Sequence, residues 1–355
     1  MMKRTFLACL IPAIMGIGCV NAAEVYNKEG HKLDLTGKVN AGRLFSSEDN
    51  KNVDVSYARL GFKGETEITS QLTGYGMWEY QFELNNAEDT DAQKGNKTRL
   101  GFAGLKFGDA GSLDYGRNYG LVYDAIAYTD MLPKFGGDSA NSDAFLSSRA
   151  TGVATWRNSD FFGLVKGLSV ALQYQGKNER TGDNAVRRSN GEGFATSVAW
   201  QSDFGLSLVG AYASVKRTAA QNQAARGKGD KAELWSGALK YDAEQIYLAA
   251  LYGETHNATP IAGGFANRAQ NVDLVAQYQF INGLRPSLAY VSSRVKDIEG
   301  IGSADLYKYI GVGANHYFNK NMVAYIEYRV NLLSHDNALG LPDDDITGIG
   351  LTYQF

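Results

Sequence analysis

The sequence predicts an all-β protein, a sixteen-stranded antiparallel barrel that crosses a membrane. Its segments alternate apolar with polar residues, which is the pattern of strands with one apolar and one polar face. The chain ends on such a segment, in which Ile349, Leu351, Tyr353 and Phe355 share one face. Short turns alternate with long polar loops between the segments. A barrel with one kind of connection at each end requires that rhythm.

The first 22 residues predict a cleaved signal peptide. Lys3 and Arg4 form a basic start, an apolar run follows over residues 5–20, and Ala22 ends a small-residue cleavage site. Both cysteines lie in this segment, so we expect the exported chain to form no disulfide. Loss of Lys3 and Arg4 takes the formal net charge from −3 to −5. The sequence has no basic stripe, so a nucleic-acid partner is not expected.

The composition fits a membrane barrel better than a soluble domain. No apolar run after residue 22 approaches the roughly 18 residues of a spanning helix, and the mean hydropathy is −0.29. The chain nevertheless has 21 Tyr and 16 Phe against 5 Pro, and the aromatic residues recur in alternation. A membrane barrel looks polar on average because half of each strand faces water.

Sixteen segments carry the alternation, and no linker divides them, so residues 23–355 are predicted to form one domain. Lys38 and Arg59 fall on the polar faces of their segments and are therefore expected in the lumen. Either cation would cost roughly 2–4 kcal/mol if it faced lipid near the midplane. The predicted strands cover residues 33–41, 55–63, 74–83, 97–107, 111–119, 148–157, 168–175, 193–200, 206–215, 232–241, 246–253, 272–280, 286–295, 307–317, 322–330 and 346–355.

Residues 123–145 interrupt this rhythm with a long acidic segment that has no strand period. Met131 and Phe135 make it too apolar for a solvated linker, whereas Asp124 and Asp143 make it too acidic for a core. Loops of this length are usually functional or disordered. Two interpretations stay open: the segment folds against the inner wall of the barrel with its carboxylates toward water, or it is a surface excursion.

Several motifs together resemble the enterobacterial general diffusion porins of the OmpF/OmpC/PhoE type. They are AEVYNKEGHKLDLTGKV, SYARLGFKGET, LTGYGMWEYQF, GNKTRLGFAGLKFGD, DYGRNYG, YTDMLPKFGGD, GVATWRNSDFFGL and the closing LTYQF. The resemblance runs from Ala23 to Phe355. It implies a homotrimer in the bacterial outer membrane, with one water-filled pore per subunit for the passive diffusion of small hydrophilic solutes and ions.

The resemblance also implies site residues and partners. Residues 123–145 would fold inward and narrow the pore. The implied partners are outer-membrane lipid, lipopolysaccharide and the barrel assembly machinery, which would read Tyr353 and Phe355 as a C-terminal signal. The constriction would carry a basic cluster on the wall and charged residues on the loop: Lys38, Arg59, Arg99 and Arg149 on the wall, and Asp130, Lys134 and Asp138 on the loop.

Two further positions follow from the resemblance. Glu88, in a long connection, would reach into the neighbouring subunit as a trimer latch, with Arg117 in its receiving site. The alternative for Glu88 is a solvated loop carboxylate. The family's loop motif PEFGGD reads PKFGGD here, so Lys134 stands in place of an acid. This departure leaves open an anion-preferring, phosphoporin-like channel.

Other functions are less well supported by the residues. The four histidines, His31, His256, His316 and His335, form no recognisable catalytic or metal-binding pattern, so we expect no enzyme, no cofactor and no metal. The acidic run 343–345 could hold a divalent ion, but a charged loop explains it equally well. A substrate-specific channel is one remaining alternative, since several tyrosines lie near the loop. A purely structural or adhesive barrel is the other.

Overall fold

A computed structural model gives the structure of residues 23–182 and 185–355. The predicted signal peptide, residues 1–22, lies outside the described residues. Within the described ranges the chain forms nineteen strands: β1 (Ala23–Lys28), β2 (His31–Phe45), β3 (Tyr57–Thr69), β4 (Leu72–Glu83), β5 (Lys97–Lys106), β6 (Ser112–Tyr119), β7 (Arg149–Asn158), β8 (Leu168–Gln175), β9 (Gly193–Gln201), β10 (Leu206–Lys216), β11 (Lys231–Ala243), β12 (Ile246–His256), β13 (Pro260–Ile261), β14 (Gly264–Phe265), β15 (Arg268–Tyr278), β16 (Leu284–Ile298), β17 (Gly302–Tyr317), β18 (Met322–Asn331) and β19 (Ile346–Gln354).

Sixteen of these strands close into one antiparallel barrel, as predicted. From β2 to β12 each strand pairs with the next, and β12 then pairs with β15 because β13 and β14 form a separate small hairpin. The series continues from β15 to β19, and β19 pairs with β2. Every barrel strand thus has two partners, and its backbone bonds are satisfied without water.

The alternation in the sequence becomes the two faces of the wall. On β4 the outward side chains Trp78, Tyr80 and Phe82 stack along the strand, with centroids 5.8 and 4.7 Å apart, and Phe62 of β3 continues the row at 5.8 Å from Trp78. Phe62 is 44% exposed although it is strongly apolar. Exposed aromatic and aliphatic residues in such bands indicate a surface covered by lipid or by another subunit.

Each of the sixteen predicted segments falls on one barrel strand, and three strands were missed. The hairpin β13–β14 has two residues per strand inside a predicted loop. Strand β1 pairs with the edge of β2 that faces away from β3, and Ala23 lies opposite Leu35 there. Phe355 exchanges backbone hydrogen bonds of 3.1 and 3.0 Å with Gly37, two residues further along β2. The two ends of the chain therefore share one edge of β2 and leave little of it unpaired.

The connections differ at the two ends of the barrel. One end has tight links such as residues 244–245, where Glu244 (φ 58°) and Gln245 (φ 93°) make a two-residue hairpin turn with positive φ at both positions. The other end carries the long loops, of which residues 120–148 are the longest. One connection at that end, residues 299–301, is short because the long strands β16 and β17 rise to meet each other.

The helices are short pieces within the loops. They are α1 (Tyr123–Ile126), α2 (Ala185–Arg188) and α3 (Ala219–Asn222), with single 3₁₀ turns at Asp49–Lys51 and Gly108–Ala110. No helix in the described part of the chain is long and apolar enough to span a membrane.

Candidate functional site

The loop formed by residues 120–148, called the constriction loop below, folds into the barrel. Met131, Leu132 and Phe135 pack against inward residues of the wall, including Val275 and Tyr309. Nearer its ends, Phe145 packs against Phe265 with ring centroids 5.4 Å apart. The apolar residues that excluded a solvated linker are thus the ones that dock the loop. The inward-folded interpretation is confirmed, and the surface excursion is wrong.

Polar contacts fix the same loop at several points of the wall. The guanidinium group of Arg157 (β7) donates two hydrogen bonds, of 2.8 and 2.9 Å, to the carboxylate of Asp124. On the opposite wall, Glu327 (β18) accepts hydrogen bonds from the backbone N–H groups of Lys134 at 2.8 Å and Phe135 at 3.3 Å. Glu327 is 1% exposed. Hydrogen bonds to a buried carboxylate are among the stronger ones in proteins.

The loop turns back on itself at two consecutive glycines. Gly136 (φ 97°) and Gly137 (φ 68°) both adopt left-handed backbone conformations that favour glycine. A Cβ atom on Gly137 would lie 2.5 Å from Oδ1 of Asp130, whereas one on Gly136 would meet only the Thr129 carbonyl oxygen at 3.7 Å. The loop thus brings its returning arm directly against Asp130. The hydroxyl of Tyr123 donates a 2.7 Å hydrogen bond to the other oxygen of the same carboxylate.

The basic residues implied by the resemblance line one cavity in the lumen, across from the loop tip. Lys38 on β2 and Arg59 on β3 are directly paired across the two strands, and both side chains lie near the ring of Tyr57, at 5.5 and 4.7 Å from its centroid. Arg149 lies 5.8 Å from the ring of Tyr119. Cations over aromatic faces are held without losing their charge.

Arg99 reaches the same cavity through a β-bulge. Glu79 of β4 pairs with Leu100 and Tyr80 pairs with Thr98, so Arg99 is the extra residue on β5. A bulge re-aims a side chain relative to the simple alternation. Arg99 therefore faces the lumen beside Leu100, and its Nε donates a hydrogen bond to Glu79. Strand parity alone could not have placed it.

Lys134 lies at the tip of the loop and lines this cavity. Its backbone N–H is bound to Glu327, while its ammonium group has no carboxylate within 4 Å among the residues described. Partial burial lowers the pKa of Lys134. Two acids also line the cavity, and both are engaged: Asp130 by Tyr123 and Glu79 by Arg99.

Positive charge is therefore in excess around this cavity. Five cationic side chains line it against two carboxylates: Lys38, Arg59, Arg99, Arg149 and Lys134 against Asp130 and Glu79. A ring of fixed charge in a pore that is narrowed by an inserted loop selects passing ions by the sign of their charge.

The remaining acids of the loop do not all face water as expected. Asp124 is paired with Arg157, and the carboxylate of Asp138 accepts a hydrogen bond from the hydroxyl of Tyr309 on β17. Burial raises the pKa of Asp138. Contrary to the expectation that the loop carboxylates point toward water, these two bind donors on the inner wall.

The implied latch residues lie on the long-loop half of the barrel. Glu88 is exposed in the connection 84–96. The guanidinium group of Arg117 lies 2.6 Å from Asp143 and donates a 2.9 Å hydrogen bond to Thr151. At the end of the chain, Tyr353 is 49% exposed on the outer face, and its ring lies 6.0 Å from that of Phe355.

Sequence reasoning missed the wall residues that receive the loop. Parity within the predicted strand 322–330 puts Glu327 on the inner face, so its presence in the lumen could have been found. Its partners, two backbone N–H groups more than 190 residues earlier in the chain, give no signal in the pattern.

In the described residues no group of three or more His, Cys, Asp or Glu side chains is arranged to hold a metal ion.

A closed barrel with an apolar outer face, a charged lumen and an inserted loop defines a membrane channel. The comparisons with known proteins agree: residues 28–355 match the model of the Gram-negative porin family. The chain is 57% identical to outer membrane porin F of Escherichia coli strain K12, over the whole of both chains. It is equally identical to outer membrane porin PhoE of Salmonella typhimurium, again over the whole of both.

Solved structures lead to the same conclusion. Salmonella typhi OmpF, in a complex with daunomycin, superposes with a TM-score of 0.87 at 47% identity, covering 94% of this chain and 100% of that one. An anion-selective porin from Comamonas acidovorans, at 17% identity and a TM-score of 0.67, shares the fold. The chain belongs to the Gram-negative porin family. It is an outer-membrane general porin, a channel for the passive diffusion of small hydrophilic solutes and ions.

Gly137 provides a test of the loop geometry. We expect Gly137→Ala to displace Asp130, because the new methyl group would collide with its carboxylate, and therefore to shift the reversal potential measured under a KCl gradient. Gly136→Ala is the matched control, since it also places an alanine at positive φ, a strain of roughly 1–3 kcal/mol, without the collision. Equal shifts in the two variants would show that strain, and not the position of Asp130, sets the potential.

Proposed function

We propose that the pore prefers anions, and that Lys134 causes this preference. The observation that carries the proposal is the excess of positive charge around the lumen cavity. To this excess Lys134 contributes an ammonium group with no carboxylate within 4 Å in the described part of the chain. Lys38, Arg59, Arg99 and Arg149 form the opposite side of the constriction, with Asp130 as its main acid.

The size of the effect follows from electrostatics. An acid in place of Lys134 would change the local charge by two units, each worth roughly 1.7 kcal/mol at about 10 Å and an effective dielectric constant of about 20. Mobile ions screen this interaction over a Debye length of about 8 Å at physiological salt. A several-fold change in the ratio of cation to anion permeability should remain.

We expect Lys134→Glu to move the reversal potential under a KCl gradient toward cation selectivity, most strongly at low salt. Lys320→Glu is the matched control, because it makes the same change of charge in the exposed turn between β17 and β18. Superimposable curves for wild type and Lys134→Glu would refute the proposal.

The oligomer is proposed to be a homotrimer with Glu88 as an intersubunit latch and Arg117 in the receiving site. The exposure of Glu88 supports this role, as does the row of exposed aromatic side chains on β3 and β4. A carboxylate that pairs with a neighbouring subunit, partly out of water, is worth far more than a surface carboxylate.

Glu88→Ala should lower the temperature at which the trimer dissociates in detergent, by the loss of up to a few kcal/mol per subunit, and leave the unfolding of the barrel itself unchanged. Asp91→Ala is the control, since Asp91 lies on the same loop and faces its own Lys94 at 3.9 Å. If both variants dissociate at the wild-type temperature on semi-native gels, Glu88 is an ordinary loop carboxylate.

The remaining partners are also proposals. Charged pairs lie on the outer face toward the long-loop end, with Arg268 2.6 Å from Glu254 and Arg294 3.3 Å from Asp305. They suit the phosphate groups and bridging cations of lipopolysaccharide. The exposed Tyr353, next to the terminal Phe355, is available to the barrel assembly machinery. Residues 1–22 are proposed to be removed on export.

A further inference from the structure

We infer that Asp273, a wall residue outside the constriction, is a positioning residue for Asp130. The carboxylate of Asp273 accepts a 2.8 Å hydrogen bond from the hydroxyl of Ser139 on the returning arm of the constriction loop. Asp273 is 1% exposed and Ser139 4%. The bond joins residues 134 positions apart and fixes the loop to β15.

The wall presents its receiving groups in one row. Asp273 on β15 lies opposite Val291 on β16, and Val291 lies opposite Tyr309 on β17. Two consecutive loop residues dock on the two ends of this row: Asp138 accepts a hydrogen bond from the Tyr309 hydroxyl, and Ser139 donates one to Asp273. The same Tyr309 oxygen accepts a 2.9 Å bond from the backbone N–H of Gly136.

These contacts matter because the two residues just before them do not fix the path of the backbone. Gly136 and Gly137 allow a wide range of backbone angles. The path of the returning arm is therefore decided by what holds it beyond the glycines. Asp273 and Tyr309 are the wall side chains that bind the arm directly after the glycines, at Ser139 and Asp138.

The arm in turn confines Asp130. Gly137 approaches so closely that a Cβ atom there would lie 2.5 Å from Oδ1 of Asp130. A returning arm that moves on the wall would free this carboxylate to move within the cavity, where it is the acid facing the basic cluster. Asp273 thus influences the position of the Asp130 carboxylate through Ser139 and Gly137, although Asp273 does not itself line the cavity.

One feature of Asp273 makes its role testable in detail. Its Oδ1 atom is buried without a hydrogen-bond partner in the described residues. One acceptor oxygen is therefore all that the contact with Ser139 requires. Asp273→Asn, which retains a carbonyl oxygen, should preserve the contact, whereas Asp273→Ala and Ser139→Ala should each remove it.

The test compares single-channel recordings and reversal potentials of these variants with the wild type. Asp273→Ala and Ser139→Ala should each raise open-channel current noise roughly twofold, because a released arm moves on the microsecond-to-millisecond scale, and should shift the reversal potential. The double variant should be no worse than either single one, since both remove the same bond. Asp273→Asn should behave like the wild type.

Ser287→Ala is the matched control. Ser287 accepts a 2.8 Å hydrogen bond from Gln277 on β15. This pair is also buried and faces inward, but neither residue belongs to the constriction loop. It should leave noise and potential unchanged. An equal effect of Ser287→Ala would overturn the inference, as would wild-type behaviour of both Asp273→Ala and Ser139→Ala.

If Asp273→Ala yields no heat-stable barrel, Ser139→Ala decides, because it changes only the loop: wild-type recordings overturn the inference, and altered recordings support it. The inference rests on the constriction proposed above, and the two fail differently. A Lys134→Glu variant without effect refutes the role of Lys134 alone, whereas unchanged Ser139→Ala recordings refute that of Asp273.

Discussion

The site depends on the docking of one loop against the inside of a closed wall. A loop inside a barrel must satisfy its backbone groups there, because the wall gives all of its own to neighbouring strands. Glu327 meets this requirement at the tip, where one carboxylate oxygen serves two successive N–H groups. Met131, Leu132 and Phe135 add the apolar contact that holds the tip down. These contacts hold the loop tip across the lumen from the basic cluster.

The charge that faces the lumen depends on which charged side chains the loop uses to bind the wall. Asp124 and Asp138 are taken up by Arg157 and Tyr309. Asp130 and Lys134 are left facing the cavity. The loop therefore presents one acid and one cation to four wall cations. An acid in place of Lys134 would reduce the excess from five cations against two acids to four against three.

Periodicity predicted the barrel because every strand of the wall is long and has two different faces. It missed β1, whose six residues are all exposed and so have no buried face to mark. Parity placed Lys38 and Arg59 in the lumen, but not Arg99, which sits in a bulge that breaks the count. In the part of the chain that the structure describes, Lys134 forms no ion pair with Asp130 or Asp138, whose carboxylates accept hydrogen bonds from Tyr123 and Tyr309. Contacts between the loop and distant strands depend on the closure of the barrel, which local patterns do not encode.

Replacing residues 130–138 with a short Gly-Ser linker tests whether the constriction loop lies in the ion path. This change removes the tip but leaves Phe145 and its packing on Phe265 in place. If the loop does lie in the ion path, we expect a folded, heat-stable barrel with a higher single-channel conductance and passage of larger neutral sugars. A folded barrel with the wild-type conductance and the same size limit would contradict it.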